Sequence, residues 1–199
     1  DFIGCKAEEE KKAFILRDSG VDVSFGSKAL DDLQYQNANH TVRVTDDFMN
    51  RATNPDSSNR TWKTKYRVSG ETAQVYDASK ILDEICKSTW ICGDPGLMYV
   101  DTVSRMHTCP ECGDILTSNP CGEFLHNINT SCNLLTHRLT KYSNLNHWKF
   151  DIESFGKSIF ISFLAQDILI EFAGAPSEDI KREPRKHRPI GLKFADLGA

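Results

Sequence analysis

Residues 102–132 read TVSRMHTCPECGDILTSNPCGEFLHNINTSC, and their apolar residues follow neither the period of a helix nor the alternation of a strand. An irregular segment of about thirty residues is longer than loops in compact domains usually are, unless the loop carries a function. Four of the seven cysteines of the chain lie in this segment. We therefore expect a functional loop here.

The centre of the segment is Asn119-Pro120-Cys121-Gly122-Glu123, which places an amide, a thiol and a carboxylate at alternate positions. In an extended chain alternate side chains project to the same side, so the three groups could face one pocket. The amide would bind a substrate hydroxyl, the carboxylate would act as a general base, and the sulfur would act as a nucleophile or radical. A plain Pro-Cys-Gly turn is the alternative reading of these five residues.

A second feature is Cys109-Pro110-Glu111-Cys112, which has the spacing of one zinc knuckle. A closed zinc site needs two further ligands, for which the candidates are Cys121, Cys132, His107 and His126. A zinc-stabilised binding module that uses Cys109, Cys112, Cys121 and Cys132 is therefore one hypothesis. A loop whose thiols bind no metal is the other, and the spacing rules favour it.

Regular patterns flank the irregular segment. Periodicity and caps predict helices over residues 7–19, 77–91 and 154–172, and a short helix capped by Asp46. Alternation predicts strands over residues 41–45, 62–68, 72–76 and 97–100. The most apolar stretch, Ile159–Phe172, is interrupted by polar residues and is predicted to be a buried helix, not a membrane span. A basic turn is expected over residues 181–188.

The chain has 199 residues and a formal charge of −4. The length fits one globular segment, and the acidic balance argues against direct nucleic-acid binding, for which domains are usually basic. The irregular cysteine spacing does not match a secreted disulfide scaffold, so we expect a reducing, cytoplasmic setting and no membrane association. Both ends look like cuts through continuing structure.

Six motifs occur in order along the chain: QNANHTVRV (36–44), CGDPG (92–96), HTCP (107–110), NPCGE (119–123), CNL (132–134) and RPIGL (188–192). Together they resemble the catalytic subunit of adenosylcobalamin-dependent (class II) ribonucleotide reductases, and the resemblance runs nearly end to end. It implies an α/β fold that is part of a ten-stranded ribonucleotide-reductase-type α/β barrel with a central finger loop. Residues 1–199 would be a single segment of that catalytic barrel domain, with the finger loop at about 102–132 and flanking parts of the barrel missing.

The resemblance implies roles for the NPCGE residues. Cys121 would carry the thiyl radical that removes the ribose 3′ hydrogen. Glu123 would deprotonate the 3′ hydroxyl, and Asn119 would hold the ribose. Pro120 and Gly122 would belong to the same substrate-binding segment.

Other residues receive weaker or partial assignments from the resemblance. Cys132 would be one member of a redox cysteine pair whose partner lies upstream of this chain. Asn39 and His40 are weak candidates for the cofactor-binding face, or they cap a strand. Cys112 departs from the family, where relatives have a small polar residue, as in Cys-Pro-Asn-Thr-Gly. No role is assigned to the isolated histidines, His126, His137 and His147.

The implied cofactor is adenosylcobalamin, and the implied substrate is a ribonucleoside di- or triphosphate. A thioredoxin-type reductant, an allosteric nucleotide site outside this segment, and a homodimer or split-chain partner also follow from the resemblance. An iron-radical reductase has the same Asn-x-Cys-x-Glu arrangement and is the close alternative. A further alternative is an inactive or split fragment of a reductase, since a phosphate-binding loop is expected downstream and the segment alone should not turn over.

Overall fold

The computed structural model describes residues 1–144 and 149–198, so His147 lies outside the described residues. The chain divides into two compact units, Asp1–Leu125 and His126–Ala199. Each unit is described separately below, since each has its own parallel strand pair and packed helices.

The first unit alternates helices with short strands. Its helices are α1 (Cys5–Asp18), α2 (Lys28–Asp31), α3 (Asp46–Ala52), α4 (Ala78–Cys92) and α5 (Val100–Arg105). Its strands are β1 (Thr41–Val44), β2 (Thr61–Lys65), β3 (Thr72–Asp77), β4 (Gly96–Tyr99) and β5 (Ile115–Ser118), and β6 (Leu125–Asn127) begins at its last residue. Strands β1 and β4 pair in parallel, and β2 and β3 form an antiparallel hairpin.

The core of this unit lies where α3 and α4 pack on the strands. It is formed by Val44, Phe48, Ala52 and Ala78. The Trp62 ring packs edge-on against Phe48, with their centroids 5.1 Å apart. Apolar burial of this kind stabilises a fold by about 25 cal/mol per Å².

Side-chain caps fix the helix boundaries. Helix α3 is capped by Thr45, whose hydroxyl accepts a hydrogen bond from the Phe48 N–H, so the prediction that Asp46 is the cap is wrong by one residue. Asp46 is instead the first residue of the helix, where its carboxylate interacts favourably with the positive end of the helix dipole. Helix α4 begins after Asp77 and ends at Gly93, whose φ of +79° suits a residue without a Cβ.

The second unit pairs strand β7 (Asn133–Arg138) in parallel with β10 (Ile190–Ala195), with Leu134 opposite Gly191. The remaining elements are β8 (Ser143–Asn144), β9 (Lys149–Phe150), α6 (Ile152–Phe172) and α7 (Glu178–His187). The stretch predicted as a basic turn is thus a helix, capped by Ser177, whose hydroxyl accepts from the Ile180 N–H. Its acidic start and basic end both match the helix dipole.

Helix α6 ends where predicted and begins two residues earlier, at Ile152, but its predicted burial is wrong. Within it only Gln166 and Ile170 are buried, whereas the Phe160 and Ile161 side chains are 70% and 65% exposed. The physical reason is that β7 and β10 form a two-stranded sheet, which is too narrow to cover a helix that is apolar on several faces.

The segment predicted as irregular contains short regular elements. It holds most of α5, a 3₁₀ turn over Pro110–Cys112, and strands β5 and β6. Elements of three to six residues are too short to show a period in the sequence.

The fold is therefore mixed α/β, as expected. The strands of the described parts of the chain form two-stranded sheets and close no barrel among themselves. Over residues 1–144 and 149–198, none of the helices combines the length and the apolar character that crossing a bilayer requires.

Candidate functional site

The NPCGE residues form a tight turn after strand β5. The Gly122 N–H donates to the Asn119 carbonyl oxygen at 3.0 Å, with Pro120 and Cys121 at the two central positions. Gly122 has a φ of +79°, which a residue with a Cβ rarely adopts. The five residues therefore form a turn and not the extended arrangement that would align alternate side chains, because proline and glycine favour this reversal. The chemical roles of Asn119, Cys121 and Glu123 stay a prediction.

Asn119 closes the loop that carries the turn. Its N–H donates to the Phe124 carbonyl oxygen at 3.1 Å, and its side-chain Oδ1 accepts from the Phe124 N–H at 2.9 Å. Asparagine often satisfies nearby backbone groups in this way. This positioning role of Asn119 was not predicted, and its signal in the sequence was only the placement of an asparagine at the start of a turn.

The thiol and carboxylate of the turn are open to solvent within the first unit. Cys121 and Glu123 are exposed, whereas Asn119 is half-buried. A reactive sulfur intermediate needs protection from water and oxidants. The described residues of this unit therefore hold the Cys121 thiol and the Glu123 carboxylate on a turn without enclosing them.

Cys132 lies in the second unit, directly before strand β7. It is half-buried, and its Sγ lies 3.6 Å from the Asn133 carbonyl oxygen. The backbone of Gly191 packs against it: a Cβ at position 191 would lie 3.0 Å from Cys132 Sγ and 2.6 Å from Leu134 Cδ2. Gly191 of the RPIGL motif therefore brings its backbone so close to Cys132 and Leu134 that no space is left for a Cβ.

Gln166 of helix α6 joins the two strands beside Cys132. Its Nε2 donates to the Asn133 carbonyl oxygen at 2.8 Å and to the Gly191 carbonyl oxygen at 3.3 Å. The side chain is only 2% exposed, so these bonds are shielded from water. From the sequence, Gln166 was merely a polar break in an apolar helix, because its partners are distant in the chain.

Arg188 anchors the start of the RPIGL motif. Its Nε donates to Asp167 Oδ1 at 2.9 Å, and it also pairs with Glu171. The hydrogen bond with Asp167 raises the pKa of the Arg188 guanidinium. These contacts fix the residue that leads from α7 into β10, so they also fix the position of Gly191.

His40, one of the two weak candidates for the cofactor-binding face, makes several contacts within the protein. The His40 ring stacks on Phe2, with centroids 4.6 Å apart, and its Nδ1 is 3.6 Å from Cys5 Sγ. The His40 carbonyl oxygen accepts from the Gly96 N–H at 2.9 Å, which extends the pairing of β1 and β4. Asn39 is exposed. The contacts of His40 fit a structural residue at the start of strand β1.

The four cysteines of the zinc hypothesis do not form a metal site. Among the residues that the structure describes, no three or more histidine, cysteine, aspartate or glutamate side chains are grouped so as to hold a metal ion. Cys109 and Cys112 do lie together, with their Sγ atoms 2.9 Å apart. Two thiols alone are half of a structural zinc site.

Comparisons with known proteins identify the family. The family model of the ribonucleotide reductase barrel domain matches residues 1–199. The chain is 41% identical over its whole length to the vitamin B12-dependent ribonucleotide reductase of Streptomyces clavuligerus and 38% identical to that of Rhodopirellula baltica. It is 33% identical, over 86% of its length, to the vitamin B12-dependent ribonucleoside-diphosphate reductase of Thermoplasma acidophilum.

The chain spans 20%, 19% and 22% of these three relatives, so it corresponds to about a fifth of each. The family match covers the NPCGE turn, Cys132 and the RPIGL strand in one alignment. The chain therefore belongs to the ribonucleotide reductase barrel-domain family.

Proposed function

We propose that this chain is the radical-bearing segment of a cobalamin-dependent ribonucleotide reductase, which converts ribonucleotides to 2′-deoxyribonucleotides for DNA synthesis. The observation that carries the proposal is identity of about 40% over the whole chain to relatives named as such enzymes. In this proposal residues 1–199 are a single segment of a ten-stranded α/β barrel, with residues 102–132 as its finger loop. The remaining strands would come from other parts of the complete protein.

The NPCGE turn would carry the first steps on the ribose. The Cys121 sulfur radical would take the 3′ hydrogen atom and become a thiol, and the Glu123 carboxylate would accept the proton of the 3′ hydroxyl. The Asn119 amide oxygen is engaged with the Phe124 N–H, which leaves the amide NH₂ group to donate to a ribose hydroxyl. A turn held by backbone hydrogen bonds suits this role, since catalytic groups must be positioned before the substrate arrives.

Cys132 would supply the reducing electrons. Together with a partner cysteine elsewhere in the complete protein, it would give two electrons and two protons to the substrate, whose 2′ hydroxyl leaves as water. The two thiols would become a disulfide, and a thioredoxin-type reductant would restore them by thiol–disulfide exchange. The contacts with Gly191 and the backbone of Asn133 support this role because they hold the sulfur in one place.

The cofactor of the complete protein would be adenosylcobalamin, which supplies the initiating radical that side chains cannot generate. Asn39, which is exposed, stays a weak candidate for the cofactor-binding face. The His40 ring is the weaker candidate of the two, since it already stacks on Phe2 and lies beside Cys5.

The substrate would be a ribonucleoside di- or triphosphate, and a diphosphate is named for the Thermoplasma relative. The allosteric nucleotide site and any homodimer or split-chain contact would lie in the remainder of the protein. A cytoplasmic location fits the deoxynucleotide supply for DNA replication and a reducing partner.

The proposal is tested by changing Cys121→Ser in the complete enzyme. Deoxynucleotide formation should fall to background, because an alcohol O–H is too strong a bond to serve as the hydrogen relay. Cys86→Ser is the matched control, since Cys86 is an exposed cysteine of helix α4 that has no role in the proposal, and it should retain full activity. Both proteins are assayed with and without added adenosylcobalamin.

Undiminished turnover of the Cys121→Ser enzyme would contradict the radical role. Turnover of the wild-type enzyme that needs a second radical-generating subunit instead of cobalamin would assign it to the iron-radical enzymes.

A further inference from the structure

Cys109 and Cys112 bring two sulfurs together outside the NPCGE turn. Their Sγ atoms are 2.9 Å apart, and neither cysteine is part of a disulfide in this structure. Disulfide sulfurs are about 2.0 Å apart, so a movement of about 1 Å would bring these two within bonding distance. The reductase chemistry proposed above uses neither thiol.

The backbone holds the two cysteines in place before any bond forms. The Cys112 N–H donates to the Cys109 carbonyl oxygen at 3.0 Å, and the Gly113 N–H donates to the Pro110 carbonyl oxygen at 3.1 Å. The ring of Pro110 restricts its φ. Gly113, which follows the turn, has a φ of +100°, a value that favours glycine. Ring closure would therefore cost little further chain entropy.

His107 clamps both ends of this loop. Its Nδ1 accepts from the Cys109 N–H at 3.2 Å, and its Nε2 donates to the Gly113 carbonyl oxygen at 2.9 Å. The neutral imidazole with its hydrogen on Nε2 satisfies both bonds at once. The clamp keeps residues 109–113 in the turn that sets the two sulfurs side by side.

The two thiols differ in access to solvent. Cys109 is exposed, whereas Cys112 is half-buried. In thiol–disulfide exchange, an accessible thiolate attacks first and a neighbouring thiol then displaces the attached group. The exposed Cys109 therefore suits the attacking role, and the half-buried Cys112 suits the role of the thiol that displaces the attached group.

We propose that Cys109 and Cys112, which lie in the same loop as the NPCGE turn but are not among its proposed reacting groups, form a thiol–disulfide exchange site for low-molecular-weight disulfides. The Cys109 thiolate attacks one sulfur of the small disulfide, forms a mixed disulfide and releases one small thiol. The Cys112 thiolate then attacks the Cys109 sulfur, forms the internal disulfide and releases the second small thiol. The protein loses two electrons and two protons, and the small disulfide gains them as two thiols.

The test is a redox titration of the 199-residue chain in glutathione buffers of increasing oxidised fraction. Each sample is quenched with acid, alkylated and mapped by mass spectrometry. We expect the peptide that contains residues 109–112 to form an internal disulfide, whereas the exposed Cys86 forms only a mixed disulfide with glutathione. In Cys112→Ser, mixed disulfide at Cys109 should rise about tenfold, because the resolving thiol no longer acts at a high effective concentration.

A parallel titration in denaturing urea separates the folded turn from the local sequence. The folded chain should reach half-oxidation at a glutathione disulfide-to-thiol ratio about tenfold lower than the unfolded chain, since only the fold holds the two sulfurs together. Equal midpoints, or mixed disulfide at Cys109 in the wild type at the level of the Cys112→Ser variant, would overturn the proposal. So would stoichiometric zinc that protects both thiols from alkylation. None of these measurements depends on reductase activity.

Discussion

At the scale of single residues, the Asp77 cap of helix α4 makes stability depend on pH. Its Oδ1 accepts from the Ser79 hydroxyl at 2.8 Å and from the Ser79 N–H at 2.9 Å. The hydrogen bond from the Ser79 side chain, followed by the one from its backbone, lowers the pKa of the Asp77 carboxyl. The stabilisation is therefore fully present above the unfolded-state pKa of about 3.9 and is lost as the pH falls through the lower folded-state value.

We expect Asp77→Asn to lose less stability than the wild type when the pH is lowered through this range. An asparagine still accepts the two hydrogen bonds, but it has no charge to titrate. Urea unfolding midpoints measured at neutral pH and at pH values below the ordinary aspartate pKa test this. The Ser79→Ala variant is the control: it removes the hydroxyl donor and should weaken the pH dependence in part. A pH dependence of Asp77→Asn equal to that of the wild type would show that the cap charge contributes nothing.

At the scale of elements, the close approach of strands β7 and β10 depends on Gly191. A Cβ there would lie 2.6 Å from Leu134 Cδ2 and 3.2 Å from the Asn133 carbonyl oxygen. Gly191→Ala should therefore destabilise the second unit by about 1–3 kcal/mol, the usual cost of overpacking. Urea unfolding followed by circular dichroism measures this loss.

Gly174→Ala is the matched control, because no heavy atom lies within 4 Å of a Cβ at that position. Its effect should stay within about 0.5 kcal/mol, as for most surface substitutions. Equal effects of the two substitutions would mean that the strands separate at little cost, and the packing argument for Cys132 would then fail.

The elements also show which parts of the fold the sequence could predict. Helix α4 was predictable because its apolar residues repeat with the helical period and because a capping aspartate and a terminal glycine mark its ends. Strands β5 and β6 could not be predicted, since they have only four and three residues and pair with each other through the turn between them. Local patterns predict local elements only.

The same distinction holds for the candidate site. NPCGE was identified as chemically significant because an amide, a thiol and a carboxylate within five residues are visible in the sequence. The hydrogen bond from Gln166 to the Asn133 carbonyl oxygen could not be predicted from the sequence, because these residues are 33 positions apart and meet only after α6 packs on β7. Candidate reactive groups are visible in the sequence, whereas the residues that hold them in place are set by tertiary contacts.

At the scale of the whole molecule, helix α6 leaves an apolar surface that a monomeric protein rarely exposes. Large side chains that are more than half exposed include Phe160, Ile161, Phe163, Leu169 and Phe172. Contiguous apolar patches of this kind usually mark a surface that contacts another part of the protein or another chain. The chain spans about a fifth of the length of its relatives, and proteins of that length have further segments that could cover such a surface.

We therefore expect the isolated 199-residue chain to bind a hydrophobic dye and to self-associate at micromolar concentrations. Replacing Phe160 and Phe163 by Gln should reduce both effects, since burying each phenylalanine is worth about 1.5–3 kcal/mol. Phe14→Gln and Phe25→Gln are the matched controls, because these phenylalanines are also exposed but lie outside α6. Dye fluorescence and sedimentation velocity distinguish the cases. If the control pair suppressed association as strongly as the α6 pair, the exposed face of α6 would not be the surface through which the chain associates.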